Sequence, residues 1–408
     1  MKILGRTVSR TQLIKAVCLI LVCLLAFSYY VFFIEASGKY SEDYMHDEGN
    51  YIAMAKRLVA GEEYSYWGEG PDAYVSPGFP LFLTVCMSIF GTDVQGIHCI
   101  KAVQCVLATF TVLLTFILGY QLTRKYSVGI IAAILIALNG GFGAYCRYLL
   151  TECLYYFTMM LFFVVFVYTV KHQERRWLYF LSGALFCVCV MVRPLIIIVT
   201  PFLFLPGVIR NWKQWRKILI PIGLFAAGFV LLALPWWIRN LVTLGKFVPL
   251  ATQTNPIYAG LAPDVAALGL SDPGSLLGNI KLLFQLLIEH PFQTIYWMTV
   301  GKFQIIFMDD LPLFVLQSVT AAVKDIALYV GLVGALCALL HKRYRWPTIL
   351  FFVYFLSSFL FVPVARYALQ YMPFLAIYAG YVATVTFQHF RANGEVSALR
   401  QGQQGAQN

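Results

Sequence analysis

Apolar residues in this chain gather into long runs separated by short polar gaps. The runs lie near residues 12–34, 95–122, 127–145, 150–170, 177–192, 194–209, 217–238, 312–340, 346–362 and 367–388. A helix needs roughly 20 mostly apolar residues to cross a bilayer, and most of these runs meet or approach that length. The first run, Ala16 to Ile34, contains no charge and is followed by no clean small-residue cleavage site. It reads as an uncleaved membrane anchor rather than a secretory leader. The two runs on either side of Arg193-Pro194 are the shortest for a span.

Two long segments remain between the runs, at about residues 35–94 and 239–311, and loops of that length usually have a function. In the first, an amphipathic helix is expected from Asp47 to Ala60, ended by Gly61. A turn-rich stretch with Gly68, Gly70, Pro71, Ser76 and Pro77 follows, and then a short apolar helix from Leu81 to Phe90. Both helices are too short to span and are expected to lie at the bilayer interface. The second segment holds Pro256, Pro263 and Pro273 and an apolar stretch from Leu276 to Ile306.

Composition agrees with this division. Of 408 residues, 60% are hydrophobic and 12% charged, against roughly 45–50% and 25% in a soluble domain. The expected fold is an all-α integral-membrane bundle of about ten transmembrane helices over residues 1–390. The interfacial helices belong to its first extracytoplasmic loop. The polar tail, 391–408, is expected to be disordered and cytoplasmic.

A net charge of +11 might suggest nucleic acid, but the cations sit in short loops: Arg124 and Lys125; Lys171, Arg175 and Arg176; Arg210, Lys213, Arg216 and Lys217; Lys342, Arg343 and Arg345. With the N-terminus cytoplasmic and the spans alternating, every one of these clusters falls inside. That pattern excludes a nucleic-acid partner and leaves membrane lipids as the surroundings. The ten cysteines show no CxxC and no zinc spacing, so free thiols are expected. No Asn-x-Ser/Thr sequon occurs, which tilts the origin toward a bacterial cytoplasmic membrane.

The same topology collects a second set of charges on the outer face: Asp47 and Glu48, then Arg147, Glu152, Arg193, Arg239 and Arg366 at span ends. Charges at such depths pair with one another or face an aqueous cavity. Several guanidinium groups on one face match the oxygens of an anion such as a phosphate. With a greasy bundle beside them they describe a lipid phosphate. A carboxylate poised at the membrane surface is suited to deprotonating an acceptor hydroxyl.

Several motifs occur in order. They are Asp47-Glu48-Gly49-Asn50-Tyr51, Pro77-Gly78-Phe79-Pro80-Leu81, Leu149-Leu150-Thr151-Glu152, Val192-Arg193-Pro194, Pro235-Trp236-Trp237-Ile238-Arg239-Asn240 with Phe247-Val248-Pro249-Leu250, and Arg366-Tyr367 before Tyr371-Met372-Pro373. The set resembles family 39 glycosyltransferases, which include the protein O-mannosyltransferases and the lipid A aminoarabinose transferases, over about residues 12–390. The resemblance implies a GT-C fold, a polyprenyl-phosphate-linked sugar as donor, and Asp47 as catalytic base with Glu48 beside it. Arg147 is then the first choice for the departing phosphate, with Arg239 and Arg366 in support and Glu152, Arg193 and Tyr367 among the substrate-binding candidates. The acceptor, whether lipid, glycan or protein, stays open.

Plainer roles stand beside these. Asp47 and Glu48 can cap the amphipathic helix, Glu152 can partner Arg147, and Arg193 can snorkel to the interface. Tyr64, Tyr66 and Trp67 fit an interfacial aromatic belt as well as a sugar-stacking surface. His46 beside the acidic pair raises a divalent metal, but no second cluster of ligand spacing accompanies it, so no cofactor is expected. A polytopic transporter or lipid flippase is the alternative function. It would show paired repeats and midplane charges, and neither is present. A non-catalytic scaffold is the third reading.

Overall fold

The computed structural model describes residues 2–3, 6–7, 9–36, 46–309 and 317–405. Apart from a two-residue antiparallel pairing of β1 (Lys2–Ile3) with β2 (Arg6–Thr7), the described residues are helical or irregular. In order the helices are α1 (Arg10–Ala36), α2 (His46–Val59), α3 (Gly78–Phe90), α4 (Val94–Thr123), α5 (Tyr126–Ala137), α6 (Gly140–Cys146), α7 (Glu152–Lys171), α8 (Trp177–Val192), α9 (Thr200–Asn211), α10 (Trp215–Leu244), α11 (Asn255–Tyr258), α12 (Leu276–Glu289), α13 (Pro291–Tyr296), α14 (Gln317–Asp325), α15 (Gly331–Leu340), α16 (Arg345–Ser357) and α17 (Met372–Gly405). A 3-10 segment, Pro194–Val199, leads into α9, and π-helical turns occupy Trp297–Gly301, Gln304–Met308 and Ile326–Val330.

Every expected apolar run is helical where the structure describes it. Among the described residues, six helices are long and apolar enough to cross a bilayer, and the bent pair α5–α6 makes a seventh. Length and composition therefore account for six or seven spans and do not establish ten. Trp177–Val192 and Arg345–Leu360 are shorter apolar helices. The run expected as one span over 127–145 breaks by 51° between α5 and α6. The break has a local cause, because the Asn139 side chain accepts from the Gly141 backbone N–H at 3.0 Å and caps a new helix start. The tail expected to lack order continues α17 as helical backbone to Gly405, and residues 406–408 lie outside the described residues. Part of the first loop, residues 37–45, also lies outside them.

The bundle is built from close helix pairs: α8 along α10, α4 along α7, α17 against α5 and α15, and α1 against α4 and α6. Phe162, Phe166, Phe186 and Phe225 interlock where α7, α8 and α10 meet, with ring centroids from 4.8 to 6.4 Å apart. The outward faces stay apolar: Ile20, Leu21 and Leu24 of α1 are more than half exposed. A belt of exposed aliphatic side chains is stable only against lipid. All ten cysteines are free, as expected.

α2 and α3, with 14 and 13 residues, do not reach the length of a span and pack on each other. α3 also packs against α4 and α8, which sets α2 over one end of the bundle. The backbones of α8 and α10 approach so closely that a Cβ built on Gly183 would stand 1.9 Å from the Phe225 carbonyl oxygen. Gly183→Val should therefore wedge the pair apart and cost about 1–3 kcal/mol or more, read as a lowered melting temperature of the purified protein in detergent. An unchanged melting temperature would show that the two helices do not meet at Gly183.

Candidate active site

The site forms where α2, the start of α7, the end of α8 and the turn before α17 converge. Its foundation is Glu152, in the first turn of α7 and 1% exposed. Arg193 closes the C-terminus of α8 immediately before Pro194, where the residue preceding a proline is held extended; its φ and ψ are −141° and 116°. From there one guanidinium nitrogen reaches Glu152 Oε1 at 2.5 Å and Nε donates to Thr151 Oγ1 at 2.9 Å. Arg366, on the 3-10 turn Ala365–Ala368, lies 3.6 Å from the same carboxylate oxygen and 3.3 Å from Asp47 Oδ2. The charges alternate as Arg193, Glu152, Arg366, Asp47, with Glu152 the most buried and Asp47 the most exposed. The Asp47 side chain is 52% exposed, against 17% for Arg366.

Burial alone would work against the positive charge on Arg193 and Arg366. The Glu152 carboxylate beside them overcomes it, and both guanidinium groups hold their protons more tightly than usual. Tyr367 stacks between them, its ring 5.2 Å from the Arg193 guanidinium and 5.7 Å from that of Arg366, and the Tyr155 ring lies 5.6 Å from Arg193.

The acidic pair divides. Successive residues on a helix point about 100° apart, so Asp47 faces out while Glu48 is 2% exposed and turned inward. Glu48 Oε1 accepts from the Leu149 backbone N–H at 2.9 Å. Gln104 donates to the Cys146 and Tyr148 carbonyls at 3.1 and 2.8 Å. Together Glu48 and Gln104 fasten the α6–α7 turn that carries Arg147 and Glu152. Glu48, expected beside the base, is thus placed against the backbone of this turn.

Arg147 lies with its guanidinium 5.2 Å from the Tyr148 ring. Sequence reading passed over its neighbour Lys101, in the second turn of α4, on which Glu48 and Arg147 both act electrostatically. A lone lysine inside the run 95–122 was the available signal, because a charge within a span is a functional flag by default. Lys101, Arg147 and Glu48 make a second group, beside the balanced set of Asp47, Arg366, Glu152 and Arg193.

Arg239 is not brought to either group. It donates to the carbonyls of Asp72 and Tyr64, at 2.5 and 2.8 Å, and so holds the first loop onto α10. The rest of its motif does similar work: Trp236 donates to the Leu250 carbonyl, Trp237 to Pro249 and Asn240 to Val248, each at 2.9 Å. Tyr64 and Tyr66 are buried inside that loop rather than spread on an interface, while Trp67 is 53% exposed. In Pro77-Gly78-Phe79-Pro80, Gly78 is required by contact, since a Cβ there would stand 2.7 Å from the Met191 backbone. A metal role for His46 rests on a side chain outside the described residues.

Removing the shared carboxylate takes the buried counter-charge from two largely buried guanidinium groups. Glu152→Ala should cost about 3–5 kcal/mol of stability, seen as a large fall in melting temperature or loss of the monodisperse species. A variant as stable as wild type would mean that Arg193 and Arg366 find other partners.

Comparison with known proteins bears on the fold and on part of the sequence. The family model of dolichyl-phosphate-mannose-protein mannosyltransferase matches residues 92–249, a segment that holds Lys101, Arg147, Glu152, Arg193 and Arg239 but neither Asp47 nor Arg366. No curated protein matches by sequence. Among solved structures, the fold is similar to that of ArnT from Cupriavidus metallidurans, solved bound to undecaprenyl phosphate, with a TM-score of 0.51 and 13% identity. The match covers 90% of this chain and 59% of that one, so this chain spans little more than half of that relative's length. The resemblance carried by the ordered motifs therefore stands: the chain has a fold similar to that of ArnT, and residues 92–249 resemble the mannosyltransferase family.

Proposed function

We propose that this chain is a membrane glycosyltransferase that moves one sugar from a polyprenyl-phosphate-linked donor to an acceptor hydroxyl outside the cytoplasm, with inversion. The observation that carries this reading is the half-exposed Asp47 carboxylate, held by Arg366 above the buried Glu152–Arg193 pair. Only Asp47 in that chain of charges is open enough to meet a substrate.

In the proposed reaction the acceptor oxygen attacks the anomeric carbon as the bond from that carbon to the phosphate oxygen breaks. The acceptor proton passes to Asp47, and the bonding electrons leave with the polyprenyl phosphate. A phosphate departs as an anion, so no general acid is needed. A single displacement inverts the centre, whereas retention would need a second carboxylate as nucleophile. The cations Lys101 and Arg147 suit the departing phosphate, whose charge grows in the transition state. The undecaprenyl phosphate in the ArnT structure supports a lipid phosphate as the ligand class. A hexose or a pentose fits equally, and so does a lipid, glycan or protein acceptor.

Asp47→Asn keeps the shape and removes the base, so kcat should fall on the order of 10²–10⁴-fold with donor binding retained. The assay is sugar transfer or donor hydrolysis by purified protein given a panel of polyprenyl-phosphate sugars. Equal rates would remove Asp47 from the chemistry. Donor crossing the bilayer of reconstituted vesicles without turnover would favour transport instead.

Lys101→Gln should lower kcat more than it raises the donor KM, with Arg239→Gln lowering stability rather than kcat. The opposite split would exchange their roles. The reading also requires cytoplasmic termini and an outer site. A fluorescent-protein fusion at Lys213 should fluoresce and an alkaline phosphatase fusion at Gly269 should be active, and the reverse pattern would invert the orientation.

A further inference from the structure

A crevice of about 340 Å3 opens between α4, α7, α9, α16 and α17. It lies at the end of the bundle opposite Asp47: Lys171, at its mouth, ends the helix that Glu152 begins. That helix has 20 residues, which at about 1.5 Å per residue separates the two ends by about 30 Å. The interior is apolar, with Phe163, Phe166, Leu350, Phe351 and Phe374 as walls. It closes at Tyr354, whose hydroxyl lies 2.7 Å from that of Tyr155, the residue whose ring faces Arg193.

The mouth has a different chemistry. Lys171 and Arg343 stand at it with Tyr344 and Trp346. Among the described residues, the charges that bear on Lys171 are Arg124 and Arg343, both positive. Like charges this close repel, and an anion between them relieves the repulsion. Trp and Tyr at such a level are the usual markers of the headgroup region.

We propose that the crevice is a binding site for one anionic phospholipid of the leaflet opposite the Asp47 site. One acyl chain fills the apolar interior and the phosphate rests against Lys171 and Arg343. A free phosphate or a nucleotide would leave the phenylalanine-lined interior unfilled. A zwitterionic lipid brings no net charge to the three cations. The donor's own phosphate belongs, on the reading above, beside Lys101 and Arg147, most of a bilayer thickness away. The proposal does not depend on the transferase reading, because its readout is lipid retention rather than turnover.

Native mass spectrometry of the full chain, released from micelles containing phosphatidylglycerol or phosphatidylcholine, tests the site. One phosphatidylglycerol per chain should be retained. In the Lys171→Gln/Arg343→Gln variant that retention should fall on the order of tenfold, while Lys342→Gln, in the same loop but off the crevice, should keep it. Leu350→Trp should evict the lipid with all cations in place, which separates the crevice from general surface charge. Equal retention of the two lipids, an equal loss in Lys342→Gln, or displacement of phosphatidylglycerol by undecaprenyl phosphate would each overturn the proposal.

Discussion

Glu152 is a carboxylate sealed inside a membrane bundle, and the candidate site is arranged around the need to compensate it. An ionised group in low dielectric must be matched by opposite charge at contact distance. Arg193 and Arg366 supply that match from two different parts of the chain. To reach Glu152, the end of α8 and the turn before α17 must both meet the start of α7. The carboxylate thereby sets where three segments, far apart in sequence, end in space.

The same compensation reaches the surface. Arg366 faces Glu152 on one side and Asp47 on the other, so the exposed carboxylate inherits its position from the buried one. This gives α2 a fixed height above the bundle even though the helix is only 14 residues long and does not span. Arg57, on the same helix, donates to the carbonyls of Ser65 and Tyr66, and Arg239 holds the other side of the loop from α10. Charged side chains are thus used twice, once as architecture and once as candidate chemistry.

The outer motifs divide along that line. Arg239 and Glu48 satisfy backbone groups that would otherwise be buried without partners, an expensive condition near hydrocarbon. Asp47 instead meets the Arg366 guanidinium and stays half exposed. The cations Lys101 and Arg147 have a counterpart at the opposite end of the bundle, where Lys171 and Arg343 stand at an apolar opening.

Much of the fold was legible in residue order. Apolar runs, Pro and Gly punctuation and loop cations depend on local composition, and a bilayer imposes a length on each run. The breaks near Asn139 and Pro194 are local as well, one a cap and the other a proline effect. Hence the helices, the short interfacial pair and the outer collection of charges followed from sequence alone. Which charge meets which did not. Asp47 and Glu48 are identical in context until helix rotation sends one outward and the other to the Leu149 amide. Four arginines look alike until packing gives two of them to Glu152, one to the first loop and one to the neighbourhood of Lys101. Pairings between residues as far apart as 47 and 366 arise only when helices pack, because they depend on distances that no local pattern encodes.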